Sequence, residues 1–210
     1  MLTLLVAYCF AAVCDDAAFS AIPEPSLPTK GKGVATGDAT LGGKPVVGAR
    51  FVMPSTKPLA AWKKILSEAD KQDEWVPDRF GYDFNEWIDP GHIYLRVDLA
   101  LVFGAVHVRR QLVALIRDED TATAYTTCYR MIDHAPFDQK IAGWVTDADW
   151  EKENAGWWSV RQDGERVIVG YQWWTEAGHL PMAVMKYGMS TALPDVMDAF
   201  DTYAGQVGVK

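Results

Sequence analysis

Residues 156–181 constrain the fold more than any other part of the sequence. They include two aromatic-rich segments, at residues 156–162 and 165–175, separated by Asp163 and Gly164. An Asp-Gly pair between two such segments predicts a β-hairpin. A long methionine-rich segment follows directly, so strands and helix together could enclose an apolar pocket.

After Pro181 the apolar residues recur every three or four positions, which is the period of one face of a long α-helix. They are Met182, Met185, Met189, Leu193, Val196, Phe200 and Tyr203. Pro194 removes a backbone hydrogen bond to the preceding turn, so we expect a kink or a break near residues 190–193.

Extended segments also precede the hairpin. The predicted strands are residues 46–53, 81–87, 92–99, 106–117 and 121–132. Residues 59–66 have helical spacing, and residues 118–120 form a polar connection that predicts a second hairpin. In segment 92–99 the apolar residues alternate, so one face is predicted to be covered and the other solvated. This order predicts an α+β fold in which the last helix crosses a curved antiparallel sheet.

The N-terminal residues differ in character from the rest. Residues 2–13 are almost wholly apolar but too few to span a bilayer, and residues 18–21 resemble a cleavage site. We expect residues 1–21 to be a signal-like leader that directs export to the periplasm or the medium; a buried helix is the alternative. Residues 22–44 are rich in Pro, Gly, Thr and Lys, which predicts a flexible linker before a domain at residues 45–210.

The predicted cleavage determines the cysteine content. Loss of the leader near Ala21 removes Cys9 and Cys14 and leaves Cys128 alone, so no intramolecular disulfide would form. Cys128 is then predicted to be a small buried hydrophobic residue.

Charge and motifs exclude several functions. The formal net charge is -8 and no basic cluster is present, so we expect no nucleic-acid partner. The histidines are His92, His107, His134 and His179. They lack paired metal-ligand spacing, so neither a zinc site nor another cofactor is expected. No serine lies in a nucleophile-elbow pattern.

Several short motifs, in their order along the chain, resemble the START and polyketide-cyclase-like helix-grip superfamily. They are residues 46–66 with Trp75-Val76-Pro77 after them, Arg110-Gln111-Leu112-Val113, Gly156-x-Trp158-x-Val160, and Gly178-His179-Leu180-Pro181. The resemblance covers about residues 45–206. It implies a helix-grip fold, with a curved antiparallel sheet wrapped around a long C-terminal helix, and an internal site for a lipid or another apolar small molecule. Where START-like chains often carry Arg-Asp, this chain has Arg110-Gln111.

Candidate ligand-binding residues follow from the resemblance and the strand alternation together. On the concave face we expect Leu95, Val97, Val108, Arg110, Leu112, Trp158, Tyr171 and Trp173, opposite Met182, Met185 and Met189. Methionine adapts to ligands of variable shape; ordinary core packing is the alternative. An unpaired buried guanidinium is costly, so Arg110 is expected either to meet a polar group of the ligand or to form a structural ion pair. The assignment depends on register, because a slip of one residue exchanges the two faces.

Three classes of function stay open. The first is non-catalytic binding or transfer of a lipid by a monomer, and the second is a cyclase or dehydratase that uses the same pocket. The third is an interaction module. Trp157 and Trp174 neighbour the predicted pocket tryptophans and must face away from them. They would pack under the N-terminal segment or, if exposed, suit a partner protein or a transient membrane contact.

Overall fold

The computed structural model describes residues 21–26, 32–74, 82–97, 111–144, 153–176 and 180–207. The strands are β1 (Gly33–Leu41), β2 (Lys44–Ser55), β3 (Tyr82–Asp89), β4 (His92–Val97), β5 (Gln111–Asp120), β6 (Ala124–Met131), β7 (Asn154–Asp163) and β8 (Arg166–Thr175). The α-helices are α1 (Leu59–Ser67), α2 (Asp138–Ile141) and α3 (Met182–Val207), and short 3₁₀ helices lie at Ala69–Glu74 and Ala135–Phe137.

Within the described residues the strands form one sheet in the order β1-β2-β8-β7-β6-β5-β4-β3. Every neighbouring pair is antiparallel. Helix α3 packs against β1, β2 and α1. The predicted class is therefore confirmed: the fold is α+β of the helix-grip type, with a curved antiparallel sheet around a long C-terminal helix.

Both faces of the sheet are covered. The inner face, under α1 and α3, carries the large hydrophobic cluster that includes Phe51, Trp158 and Met189. The outer face carries smaller clusters around Trp174 and Tyr94. Alternation along each strand distributes the side chains between these faces.

Strand β1 corrects the prediction of a flexible linker over residues 22–44. Gly33–Leu41 pairs with β2 along its whole length. The side chain of Lys186 on α3 forms an ion pair with Asp38 at 2.6 Å, and Lys32, just before β1, pairs with Asp198. The strand was missed because its burial comes from neighbours and not from its own apolar residues.

The predicted break at Pro194 is wrong, because α3 is continuous from Met182 to Val207. Its buried residues, spaced by three or four positions, hold the helix against the sheet on both sides of the proline. Lys32 also donates a hydrogen bond from Nζ to the carbonyl oxygen of Pro194 at 2.7 Å.

The second predicted hairpin is present, but its turn lies further along the chain. Strand β5 extends to Asp120, so residues 118–120 belong to the strand. The turn is held by Thr121, whose Oγ1 accepts a hydrogen bond from the amide of Ala124 at 3.0 Å. At the Asp163-Gly164 turn, which is confirmed, Gly164 has a φ of 61°, a value that favours glycine.

The outer face of β4 is covered, which corrects the expectation that it is solvated. Tyr94 is 1% exposed. Its ring contacts that of Trp144 edge-on, with 5.4 Å between centroids, and Ile141 of α2 joins the same cluster. The segment around α2 therefore shields this part of the sheet.

In the part of the chain that the structure describes, no helix combines the length and the apolar character needed to cross a membrane.

Candidate functional site

The centre of the inner face is a set of aromatic side chains on adjacent strands. The register pairs Trp158 with Tyr171 directly, and directly paired residues share a face. Their rings stack with 4.1 Å between centroids. Trp158 also contacts Phe200 of α3, at 4.7 Å between centroids. Trp158 thus joins the middle of the sheet to the C-terminal helix.

Two tyrosine hydroxyls add a polar contact to this aromatic surface. Tyr129 on β6 and Tyr171 on β8 are hydrogen-bonded through their hydroxyl oxygens, which lie 2.6 Å apart. Gly156 lies between them on β7, paired with Tyr129. A Cβ atom at Gly156 would lie 2.2 Å from the Tyr129 ring, so only glycine lets the ring reach across β7.

Part of this face is completely closed. Residues of β2, α1 and α3 pack there with almost no accessible surface: Phe51, Trp62, Met189 and Met197 are 0% exposed and Leu193 is 2% exposed. We call these five residues the packed region. Polar bonds support it, because Ser55 Oγ accepts a hydrogen bond from Trp62 Nε1 at 3.1 Å and donates one to Asp201 at 2.5 Å.

Another part of the same face keeps accessible surface although it belongs to the same hydrophobic cluster. Leu95, Met131 and Trp173 are each 8% exposed, and Tyr129 and Tyr171 are only partly buried. We call these five residues, from β4, β6 and β8, the accessible region. Its lining is apolar and aromatic, with the two tyrosine hydroxyls as polar groups.

The structure brings seven of the predicted site residues into one cluster. They are Leu95, Trp158, Tyr171, Trp173, Met182, Met185 and Met189. Met185 and Met189 are closely packed, at 2% and 0% exposure, whereas Met182 is partly buried against the cluster. That these side chains bind a ligand stays a prediction.

The register pairs Leu112 with Tyr94, and Leu95 with Gln111. That Leu112 binds a ligand stays a prediction. Val97 is placed by its backbone alone, paired with Tyr82. Val108 and Arg110 lie outside the described residues, so the hypothesis for the Arg110 guanidinium stays a prediction.

Sequence reasoning missed Tyr129, Met131 and Asn85 on the inner face. The first two alternate along β6 with Cys128 and Arg130, so the period of two was available as a signal. Asn85 is paired directly with Leu95 and is 8% exposed. A polar residue in a strand is ordinarily assigned to the solvated face, so Asn85 was not predicted to lie on the inner face.

Neither amide atom of Asn85 has a hydrogen-bond partner among the described residues. Leaving a buried donor or acceptor unsatisfied costs about 1–3 kcal/mol. Gln172 on the outer face is fully buried and lacks partners for both amide atoms in the same way. Among the described residues, each face of the sheet therefore holds one buried amide in which neither the nitrogen nor the oxygen has a hydrogen-bond partner.

The tryptophans that face away from the cluster are covered to different extents. Trp174 is 0% exposed and packs with Ile22 and Leu41, as the first alternative predicted. Trp157 is partly buried, with the Arg50 guanidinium carbon 5.6 Å from its ring centroid. An interaction module built on an exposed Trp174 is thus contradicted.

The outer face also carries a shallow groove beside Trp157. It is lined by residues that include Glu24, Arg50 and Arg161 and encloses about 370 Å³, open solvent included. Arg50 is already engaged, since it donates hydrogen bonds to the Ile22 carbonyl oxygen at 3.1 Å and to Glu24 at 2.6 Å. The lining is mixed, because Val52, Trp157 and Ile168 line the groove beside these charged residues.

Cys128 is fully buried on the outer side of β6 and is disulfide-bonded. This corrects the prediction that it is an unpaired hydrophobic residue. The other two cysteines of the sequence, Cys9 and Cys14, lie outside the described residues.

The described histidines do not belong to the inner face. His92 lies 2.6 Å from Asp89, measured from Nδ1 to Oδ1, and His134 lies 2.7 Å from Asp138. Among the described residues no group of three or more His, Cys, Asp or Glu side chains could hold a metal ion.

The Asp89–His92 pair closes the turn between β3 and β4. Partial burial alone would raise the pKa of Asp89. The hydrogen bonds from His92 and from the Gly91 amide, together with the charges of His92 and Lys140, outweigh that effect and hold the pKa below its ordinary value. The turn is further supported by the His92 ring, whose centroid lies 4.9 Å from that of Phe137.

Solved structures share this architecture at very low sequence identity. A STAR-related lipid transfer protein from Xanthomonas axonopodis matches with a TM-score of 0.58 and 15% identity, over 87% of this chain and 97% of its own. Human StAR-related lipid transfer protein 5 matches with a TM-score of 0.65 and 9% identity, over 91% of this chain and 88% of its own. The chain has the START fold.

A third START structure, human STARD10, matches with a TM-score of 0.60 and 12% identity, over 88% of this chain and 73% of its own. No protein-family profile matches the sequence, and no curated protein matches it. At identities this low the similarity establishes the START fold and nothing finer.

Proposed function

We propose that the protein binds a lipid or another apolar small molecule, without catalysis, against the accessible region of the inner face. The observation that carries the proposal is the residual exposure of Leu95, Met131 and Trp173, at 8% each, together with the partly buried Tyr129 and Tyr171 on the same face. Two of the structures that share this fold are named lipid transfer proteins, which supports the same ligand class.

The expected affinity follows from the apolar area that a ligand would bury. Burying about 400 Å² at about 25 cal/mol per Å² contributes about 10 kcal/mol. Association costs at least about 4 kcal/mol, which leaves a complex in the micromolar to millimolar range. Binding that is tighter than this requires a preformed pocket and a well-placed polar contact.

A cyclase or dehydratase activity has no comparable support among the described residues. Their two histidines pair with carboxylates outside the inner cluster, and the groups on the accessible region that could take part in proton transfer are the Tyr129 and Tyr171 hydroxyls. Binding without chemistry is therefore the function that this geometry favours.

We further propose that the protein is exported and acts as a monomer that contacts membranes transiently. Disulfides persist in oxidising compartments outside the cytosol, so the bond at Cys128 supports export. The other cysteines of the sequence, Cys9 and Cys14, lie in the predicted leader, so a bond within the chain would mean that part of this leader is retained. N-terminal sequencing and non-reducing mass measurement of exported protein test both points.

Lipid extraction tests the main proposal. The purified full-length protein is extracted with organic solvent, and the extract is analysed by mass spectrometry beside that of an unrelated protein purified from the same host. We expect a lipid enriched in the first extract, together with saturable binding of a fluorescent lipid. Repeated preparations with no enriched lipid and no saturable binding would overturn the proposal.

A further inference from the structure

Asn85 is a polar side chain on an otherwise apolar part of the inner face. It is paired directly with Leu95 across β3 and β4 and is more than nine-tenths buried, at 8% exposure. Trp87, two residues further along β3, packs against the inner cluster. Residues two apart on a strand share a face, so the Asn85 amide lies at the end of the accessible region.

The amide is unsatisfied in both of its roles. A carboxamide has a donor group, Nδ2, and an acceptor, Oδ1, and neither has a partner among the described residues. Buried side-chain polar groups in native proteins are nearly always hydrogen-bonded. An exception beside a candidate binding surface indicates a partner that the described residues do not supply.

The described residues around Asn85 make water a poor partner. A buried water needs about two to four polar neighbours, whereas the described inner-face residues beside Asn85 on β3 and β4 are Trp87, Ile93 and Leu95. A ligand whose apolar part lies on the accessible region can instead bring its own polar end to the amide.

The polar end is expected to be uncharged. No charged side chain is buried among the residues whose burial is described, so these residues offer an ionised phosphate or ammonium next to Asn85 no counter-charge for its lost hydration. A neutral group that both donates and accepts a hydrogen bond satisfies both atoms of the amide.

We propose that Asn85 binds the polar end of the ligand and selects a neutral amphiphile that carries a hydroxyl or a carboxamide. The ligand O–H or N–H donates to Asn85 Oδ1, and Asn85 Nδ2 donates to the ligand oxygen. This inference rests on the proposed function, because it names the chemistry of the molecule held on the accessible region.

Displacement of a neutral fluorescent probe, N-phenyl-1-naphthylamine, tests the inference on the full-length protein. The competitors are dodecan-1-ol, which donates and accepts, and 1-methoxydodecane, which only accepts. We expect dodecan-1-ol to bind about fivefold to tenfold more tightly, which is the size of one good hydrogen bond. In the Asn85→Leu variant the two affinities should become equal, with the affinity for the probe measured separately in each variant.

Gln172→Leu is the matched control, because Gln172 is also a buried amide without partners but lies on the outer face. It should keep the preference of the natural chain for dodecan-1-ol. Should Asn85→Leu fail to fold, Asn85→Ala replaces it in the same comparison.

The outcomes separate the two proposals. Failure of the probe and both competitors to bind the natural protein would overturn the proposed function, and the inference about Asn85 with it. Probe binding with equal affinity for both competitors would overturn the inference alone, as would a preference that survives Asn85→Leu or Asn85→Ala. A preference lost equally in Gln172→Leu would also overturn it.

Discussion

The packed region and the accessible region lie on the same face of one sheet but differ in how completely they are covered. Met189 and Met197 are 0% exposed, whereas Leu95 and Trp173 keep 8%. Protein interiors are normally packed as densely as organic crystals, so the packed region is the ordinary case. The accessible region is the exception, and it is where a guest molecule can add contacts that the chain does not make.

Helix α3 is tied to one side of the sheet. Its polar contacts run from Lys186 to Asp38, from Asp198 to Lys32 and from Asp201 to Ser55. These bonds hold the helix over β1 and β2. On β4, β6 and β8 the residual exposure lies toward the C-terminal end of each strand, at Leu95, Met131 and Trp173, whereas Ile93, Tyr125 and Val169 are closed.

Truncating one methionine in each region should give the largest difference in stability between the packed region and the accessible region. Met197→Ala removes a closely packed side chain and should destabilise the protein by about 2–5 kcal/mol. Met131→Ala removes a side chain that already borders accessible surface, so its cost should be smaller, at about 1–2 kcal/mol. Urea unfolding of both variants measures the difference. Equal costs would show that the two regions are packed alike.

Enlarging a side chain tests the same contrast in the opposite direction. Met189→Trp overpacks a closed site and should cost about 1–3 kcal/mol. Leu95→Trp can extend into the accessible region, so we expect a change in stability of less than about 1 kcal/mol. Affinity for a fluorescent lipid should fall at least about tenfold in Leu95→Trp, because the indole occupies the space of the ligand.

The result that matters is the separation of stability from binding. Leu95→Trp should lose binding and keep stability, whereas Met189→Trp should lose stability and, where still folded, keep binding. A Leu95→Trp variant that unfolds at low urea would show that no space exists beside Leu95. Unchanged lipid affinity in a stable Leu95→Trp variant would place the ligand elsewhere.

The tyrosine pair of the accessible region allows a finer test. Tyr171→Phe removes one hydroxyl from the 2.6 Å contact with Tyr129, and should cost about 0.5–1.5 kcal/mol. Tyr187→Phe is the control, since Tyr187 is 62% exposed, and should change stability by no more than about 0.5 kcal/mol. Equal effects in urea unfolding would show that the hydroxyl contact contributes nothing to stability.

Local patterns predicted the elements whose signals are contained in their own residues. The Asp163-Gly164 hairpin and the apolar stripe of α3 are of this kind. Strand β1 is not, because Gly33–Leu41 is rich in small and polar residues and is defined by its pairing with β2. The continuity of α3 through Pro194 likewise depends on tertiary contacts that no local pattern encodes.

The candidate site divides in the same way. Alternation placed Trp158, Tyr171 and Trp173 on the inner face, because they lie on the two strands of a tight hairpin whose turn fixes their register. Leu112 is described by its backbone register alone, paired with Tyr94, so its place in the site stays a prediction. The sequence pattern did not predict Asn85 as an inner-face residue. Its burial depends on neighbouring strands and is unusual for a polar side chain.

The smallest effect that we expect concerns the turn that joins β3 to β4, the strands that carry Asn85 and Leu95. The pKa of Asp89 is below its ordinary value of 3.8. A carboxyl whose pKa is lower in the folded than in the unfolded protein stabilises the fold fully above the unfolded pKa. This contribution is lost as the pH falls through the folded pKa. Urea midpoints of the natural chain and of Asp89→Asn, measured at about pH 5 and about pH 3, should show a smaller drop for the variant.

His92→Gln supplies the matched control, because it removes a principal cause of the low pKa of Asp89 while keeping the carboxyl. It should reduce the acid-dependent drop in the same direction as Asp89→Asn. Lipid affinity at neutral pH should be unchanged in both variants, since the pair closes a turn and touches neither region of the inner face. Identical acid profiles for the natural chain and Asp89→Asn would show that the Asp89–His92 pair does not contribute to the pH dependence of stability. A loss of lipid binding would show that the turn positions the ligand-binding strands.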